Sequence, residues 1–141
     1  MTPRLLALRF LTLRVANAAR SRRFYAALGL EPARGDTPGL PMLDAGGVTL
    51  ALATDTALAA HAPPLRGAGG SVGVSLNTHD AAAVEAGYAA GCAAGGHSRR
   101  APHRPSWGGL AAWIEDPDGH RIELVWNPHL GAGPDPGISD T

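Results

Sequence analysis

Lysine is missing from this chain. All twelve basic residues are arginine, and they balance twelve acids to a formal net charge of zero. A neutral chain argues against nucleic acid or an anionic membrane as the main partner, because both need a basic footprint. With Ala and Gly so abundant, the exclusive use of Arg reads as a compositional bias rather than a functional choice. A single cysteine, Cys92, excludes an internal disulfide framework and any cysteine-based zinc site. No apolar run approaches the ~20 residues of a membrane span, and the amino terminus lacks a signal peptide's long apolar core. Gly67 to Gly70 is not followed by the lysine of a phosphate loop, and there is no His-Glu-x-x-His pattern. A soluble cytoplasmic protein is the expectation. At 141 residues the chain suits one domain, with room for two fused half-domains and burial of roughly 70% of its unfolded surface.

What is present is a pattern that occurs twice. Phe10 to Val15 opens as a strand. Asn17 suits a helix N-cap, and Ala18 to Leu28 follows with Ser21, Phe24, Tyr25 and Leu28 at helical spacing. Gly29 stands where a left-handed cap is expected. Leu40 to Asp44 and Val48 to Ala53 read as strands joined at Gly46-Gly47, and Ala57 to Ala60 as a helical turn. Residues 63–70 look like a linker. The order then restarts: strand from Ser71 to Asn77, helix from Asp80 to Ala90 ended by Gly91, and a poor strand from His97 to Pro102. Strands at Leu110 to Glu115 and Arg121 to Trp126 flank a turn. Two stacked copies of one supersecondary unit are expected, residues 8–62 and 71–128, followed by a disordered Gly-Pro-Asp tail at 129–141.

The closing hairpin carries the most information. Asp116-Pro117-Asp118-Gly119 has the residues of a type I turn. The strand after it places one carboxylate, Glu123, in a mostly apolar run, which is costly unless the charge is solvated, paired or bound. Three roles fit Glu123: a paired or hydrogen-bonded structural carboxylate, a polar anchor for a ligand, or a general base whose pKa burial has raised.

Thr12-Leu13-Arg14-Val15, the helix Ser21-Arg22-Arg23-Phe24-Tyr25 running to Leu28-Gly29, and the closing Asp-Pro-Asp-Gly with Ile122-Glu123-Leu124 resemble the vicinal oxygen chelate superfamily. That group includes glyoxalase I, extradiol dioxygenases, fosfomycin-resistance enzymes and bleomycin-resistance proteins. Ser106-Trp107-Gly108-Gly109 and Val125-Trp126-Asn127-Pro128 look like an uncharacterised glyoxalase-like branch of it. The resemblance implies an α+β fold in which two βαβββ modules form a curved, cup-like mixed sheet that binds a metal through four strands. The ligand positions it implies hold Phe10, Ala51, Ser71 and Glu123. Only the last is a metal-ligating type, and a divalent site usually needs three or more protein ligands. No metal and no cofactor are therefore expected. His97 or His103 beside Glu123 is the remaining way to build a metal site.

Strand alternation puts Phe10, Thr12 and Arg14 on one face, Ser71, Gly73, Ser75 and Asn77 on another, and Glu123, Val125 and Asn127 on a third. By resemblance all three line the cup as a mixed small-molecule site. Arg14 occupies the position that contacts a glutathione carboxylate in glyoxalase I, which suits an anionic ligand; pairing with Glu123 or a place at a solvated rim suits it equally. Trp107, in a Pro- and Gly-flanked segment, fits either a flat wall over a planar ligand or a packed hinge residue. The site expected is thus Phe10, Thr12, Arg14, Ser75, Asn77, Trp107 and Asn127 around Glu123. The function expected is binding of a small organic molecule for resistance or sequestration, by a homodimer. The alternatives are a metal-independent lyase, isomerase or cyclase using Glu123 as acid or base, and, further back, a metal-dependent glyoxalase or dioxygenase.

Overall fold

The computed structural model of the protein describes residues 7–60, 62–67 and 69–129. The expected tail at 129–141 lies, apart from His129, outside the described residues, as does His61.

Strand β1 (Phe10–Arg14) alternates as its sequence dictates. Leu13 is buried and Leu11 packs on the core, while Phe10 and Thr12 are exposed. Asn17 is extended (φ −143°) and its side chain accepts the Arg20 N–H at 3.0 Å, which starts α1 (Ala18–Ala27). Ser21, Phe24 and Tyr25 are its buried stripe. Gly29 follows with φ +98°. A two-residue strand, β2 (Glu31–Pro32), then precedes β3 (Met42–Asp44) and β4 (Thr49–Ala53), which turn at Gly46 and Gly47 with φ +81° and +98°. Thr54 caps the single turn α2 (Asp55–Leu58). The second half repeats the order as β5 (Gly73–Asn77), α3 (Ala81–Ala93, capped by Asp80), β6 (His97–His103), β7 (Leu110–Glu115) and β8 (Arg121–Trp126).

Each half forms a four-stranded mixed sheet, ordered β1-β4-β3-β2 and β5-β8-β7-β6, with its first and last strands parallel. These are the two βαβββ modules. One core joins them: Leu13, Phe24, Tyr25, Leu43, Leu50 and Leu52 from the first, Val84, Leu110, Ile114, Ile122 and Leu124 from the second.

Several boundaries differ from the sequence expectation by one or two residues; the helical turn expected at Ala57 to Ala60 starts at Asp55 because Thr54 caps it, and the strand expected from Leu40 starts at Met42. Two further differences have a clear packing or pairing cause. Gly91 does not end α3. It lies inside the helix where a Cβ would sit 2.8 Å from Ile114 Cδ1 and 3.0 Å from Leu28 Cδ2, so glycine is there to let α1 and α3 approach. The left-handed residue comes later, at Gly95 (φ +101°). β5 begins at Gly73 rather than Ser71, because pairing with β8 starts only at Gly73–Arg121. β2 was not foreseen, since two residues ending in proline give no alternation to read.

The pairing also fixes which strand edges remain open. Thr49 N–H bonds Arg9 C=O and Val15 N–H bonds Ala53 C=O, so the odd residues of β1 serve β4. The backbone groups of Phe10, Thr12 and Arg14 therefore face the other edge. Thr78 N–H bonds Val125 C=O, so by the same logic those of Gly73, Ser75 and Asn77 face the open edge of β5.

Candidate functional site

Glu123 sits mid-strand on β8, half-buried, between Ser75 of β5 and Trp113 of β7 in the ladder. Its Oε1 accepts the Ser75 hydroxyl at 2.7 Å. The carboxylate is thus hydrogen-bonded rather than ion-paired. Among the described residues it forms no salt bridge.

Trp113 was not singled out from sequence. Its ring edge lies 3.2–3.3 Å from where a Gly73 Cβ would stand. Gly73 pairs with Arg121, one step along β8 from Glu123's neighbourhood. The indole therefore crosses β8 diagonally, between Glu123 and Arg121, and rests on Gly73. It gives the carboxylate a flat apolar neighbour. The alternation Ala111-Trp113-Glu115 on one face of β7 was the available signal; register was the missing piece.

Arg14 is engaged elsewhere. Its Nε and Nη2 donate to the two oxygens of Asp55 at 2.8 and 2.9 Å, and Nη1 donates to Gly67 C=O at 3.3 Å. The hydrogen bond and charge of Asp55 raise the Arg14 pKa, and the Arg14 hydrogen bond lowers that of Asp55. Arg14 and Thr12 line a cavity of about 220 Å³ with Leu11, Val74 and His120. Ser75 and Asn77 line another of about 410 Å³. Glu123 borders neither. The structure thus brings Ser75 to Glu123, Asn77 to Ser75, and Thr12 to Arg14, but does not pair Arg14 with Glu123. Phe10 is 54% exposed at the start of β1, and Trp107 is 43% exposed, packing on its own loop at Gly109. Asn127 accepts the His129 N–H at 2.9 Å, closing its own turn.

The acidic turn proves to be the joint between modules. Gly119 N–H bonds Asp116 C=O at 3.0 Å, as a type I turn requires. Asp118 accepts from Ala16 N–H, Arg20 and the Ser21 hydroxyl at 2.9–3.1 Å. Asp116, 1% exposed, accepts the Tyr25 hydroxyl at 2.6 Å and the N–H groups of Asp118 and His120 at 2.9 Å each. Burial first, then the Asp116 charge and hydrogen bond, hold the Tyr25 pKa well above its usual value. His120 Nε2 donates to Arg14 C=O at 2.7 Å, because a carbonyl can only accept.

The positions at which the resemblance implies metal ligands do not hold a ligand set. Phe10, Ala51 and Ser71 offer no imidazole or carboxylate, and Ala51 is buried on β4. No group of three or more His, Cys, Asp or Glu side chains placed to hold a metal occurs among the described residues. His97 stands opposite Glu115 and His103 opposite Ala111, so neither faces Glu123 across a strand. Among the described residues no helix is long and apolar enough to cross a membrane.

Comparison with solved structures finds the same fold at modest identity. A glyoxalase-related enzyme from Fulvimarina pelagi is 27% identical with a TM-score of 0.77, covering 88% of this chain and 90% of its own. A hypothetical protein from S. aureus gives 22% and 0.73, covering 89% and 96%. A lactoylglutathione lyase from Agrobacterium tumefaciens gives 22% and 0.65, also covering 89% and 96%. No curated protein matches. A family model described as Glyoxalase/Bleomycin resistance protein/Dioxygenase superfamily matches residues 7–124. The chain, with two βαβββ modules and that match along most of its length, belongs to the glyoxalase/bleomycin resistance protein/dioxygenase superfamily.

Proposed function

We propose that the protein binds a small organic molecule without a resident metal, using Glu123 as the polar anchor and Trp113 as a flat apolar wall. The observation that carries this reading is the Ser75–Glu123 hydrogen bond at 2.7 Å. The carboxylate retained at a ligand position is held by a hydroxyl, and its expected co-ligands are Phe10, Ala51 and Ser71. One carboxylate beside an indole is the make-up of a mixed small-molecule site, apolar with few polar groups. A homodimer is part of the proposal, supported by the exposed apolar side chains of Leu8 and Phe10 at the open edge of β1.

The test is direct. Protein purified without a polyhistidine tag is analysed for divalent metals and screened for ligand-dependent thermal stabilisation against natural-product libraries. The reading expects no stoichiometric metal, and hits whose affinity falls on Glu123→Gln and on Trp113→Ala. Stoichiometric nickel, zinc, manganese or iron overturns the metal-free part. Hits indifferent to both substitutions overturn the site.

A further inference from the structure

The cavity beside Ser75 and Asn77 lies between the modules and has a definite chemical character. Its apolar wall is Leu28, Leu30 and Ala45 from the first module and Leu76 and Leu124 from the second. At about 410 Å³ it falls within the usual 300–1,000 Å³ of small-molecule sites. Among the described residues its one charged lining side chain is Asp44, and no base lines it.

One hydroxyl at the rim has already spent its proton: Thr78 Oγ1–H donates to Asp80 C=O at 2.8 Å, so its oxygen has only lone pairs left to offer. The Ser75 hydroxyl is turned away, donating to Glu123 on the strand face opposite Leu76 and Leu124. Asp44 Oδ1 accepts the Gly46 N–H at 2.9 Å, and Asp44 forms no ion pair among the described residues. The open edge of β5 adds C=O and N–H groups of Ser75 and Asn77 in equal number, so the sign of the rim is set by Asp44. The positive end of α3 is close by, but its Ala83 N–H is already held by the Asp80 carboxylate at 2.9 Å. Gly87 keeps the floor open; a Cβ there would come within 3.1 Å of Leu124 Cδ1.

An anionic rim of Asp44 with the Thr78 acceptor oxygen, over a leucine-lined pocket, selects a donor-rich cation with an apolar body. We propose that this cavity takes a small aliphatic primary amine, its ammonium held at Asp44 and its chain laid on Leu28, Leu30, Leu76 and Leu124. The inference rests on the small-molecule reading above and adds a ligand class and a second binding place, on the strand face opposite Glu123.

The full-length protein is titrated with hexylamine, hexanol and hexanoate at matched ionic strength, followed by methyl NMR. Hexylamine is expected to shift the methyl signals of the four leucines and to bind more tightly than hexanol, with hexanoate weaker than both. Asp44→Asn keeps the oxygen that caps Gly46 and should weaken hexylamine about fivefold, the upper range for a solvent-accessible ion pair, without affecting hexanol. Ala83→Leu should block both. The proposal is overturned if hexylamine binds no better than hexanol, or if Asp44→Asn leaves its affinity unchanged in a protein with a native spectrum. A ligand that perturbs Trp113 and Glu123 while leaving the cavity methyls still overturns the amine cavity and leaves the small-molecule function standing. Ligands at neither place remove both.

Discussion

Tyr25→Phe removes the shortest hydrogen bond between the modules among the described residues. The Tyr25 hydroxyl donates to Asp116 Oδ2 at 2.6 Å, and the two residues are 0% and 1% exposed. Phenylalanine keeps the ring and its edge-on packing against Phe24, with centroids 4.9 Å apart, so no cavity is created. What is lost is a hydrogen bond to a charged acceptor, worth about 1.5–3 kcal/mol. Asp116 Oδ1 keeps two backbone donors, but Oδ2 is left with none among the described residues, which places the cost in the upper part of that range. A cost of about 2.5 kcal/mol corresponds to a melting temperature lower by roughly 10 °C for a domain of this size. Urea denaturation of both proteins measures it. The alkaline limb supplies a second readout. The folded Tyr25 pKa is raised, so its contribution is complete below the unfolded value of 10.0 and is lost as pH rises through the folded one. Tyr25→Phe has no such loss, so the gap between the two proteins should narrow above pH 10. A stability difference under about 0.5 kcal/mol, or parallel alkaline limbs, would refute the reasoning.

Gly109→Ala should destabilise the protein by about 2 kcal/mol or more, read from the urea midpoint, because Gly109 holds φ +81° and a Cβ there collides with the Trp126 carbonyl. Arg22→Ala should return the Asp36 carboxyl to its ordinary titration range by carbon NMR, since the bidentate hydrogen bonds from Arg22 at 2.6 and 3.0 Å are the chief cause of its lowered pKa. A depressed folded pKa contributes stability above the unfolded value near 3.8 and loses it as pH falls through the folded one, so the two proteins should converge in acid.

The sequence was most legible where local chemistry decides the outcome. Leu110–Glu115 and Arg121–Trp126 have the strand bounds their alternation implies, and Asn17 caps α1 as its side chain dictates. Gly91 misled because glycine serves two ends, a left-handed cap or a close helix approach, and only Leu28 and Ile114 in place decide between them. The candidate site was legible one residue at a time. That Arg14 pairs with Asp55, 41 residues on, and that Trp113 lies beside Glu123 depend on how β1, β7 and β8 are set against their neighbours. Alternation within one strand carries no such information.

The acidic turn has a temporal consequence. Its partners are separated from it by 91 to 106 residues, so Ala16, Ser21, Tyr25 and the Arg14 carbonyl are made that far ahead of Asp116, Asp118 and His120. During synthesis the first module emerges with that set of polar groups dependent on water and with Phe24 lacking Gly91 and Gly96 to pack on. Its final consolidation waits for the turn, and a loop of about a hundred residues must close before these contacts can contribute. The halves look like duplicates, yet the first is incomplete without the second. A ribosome stalled before residue 116 should present a nascent chain open to proteolysis, and release from the stall should close it.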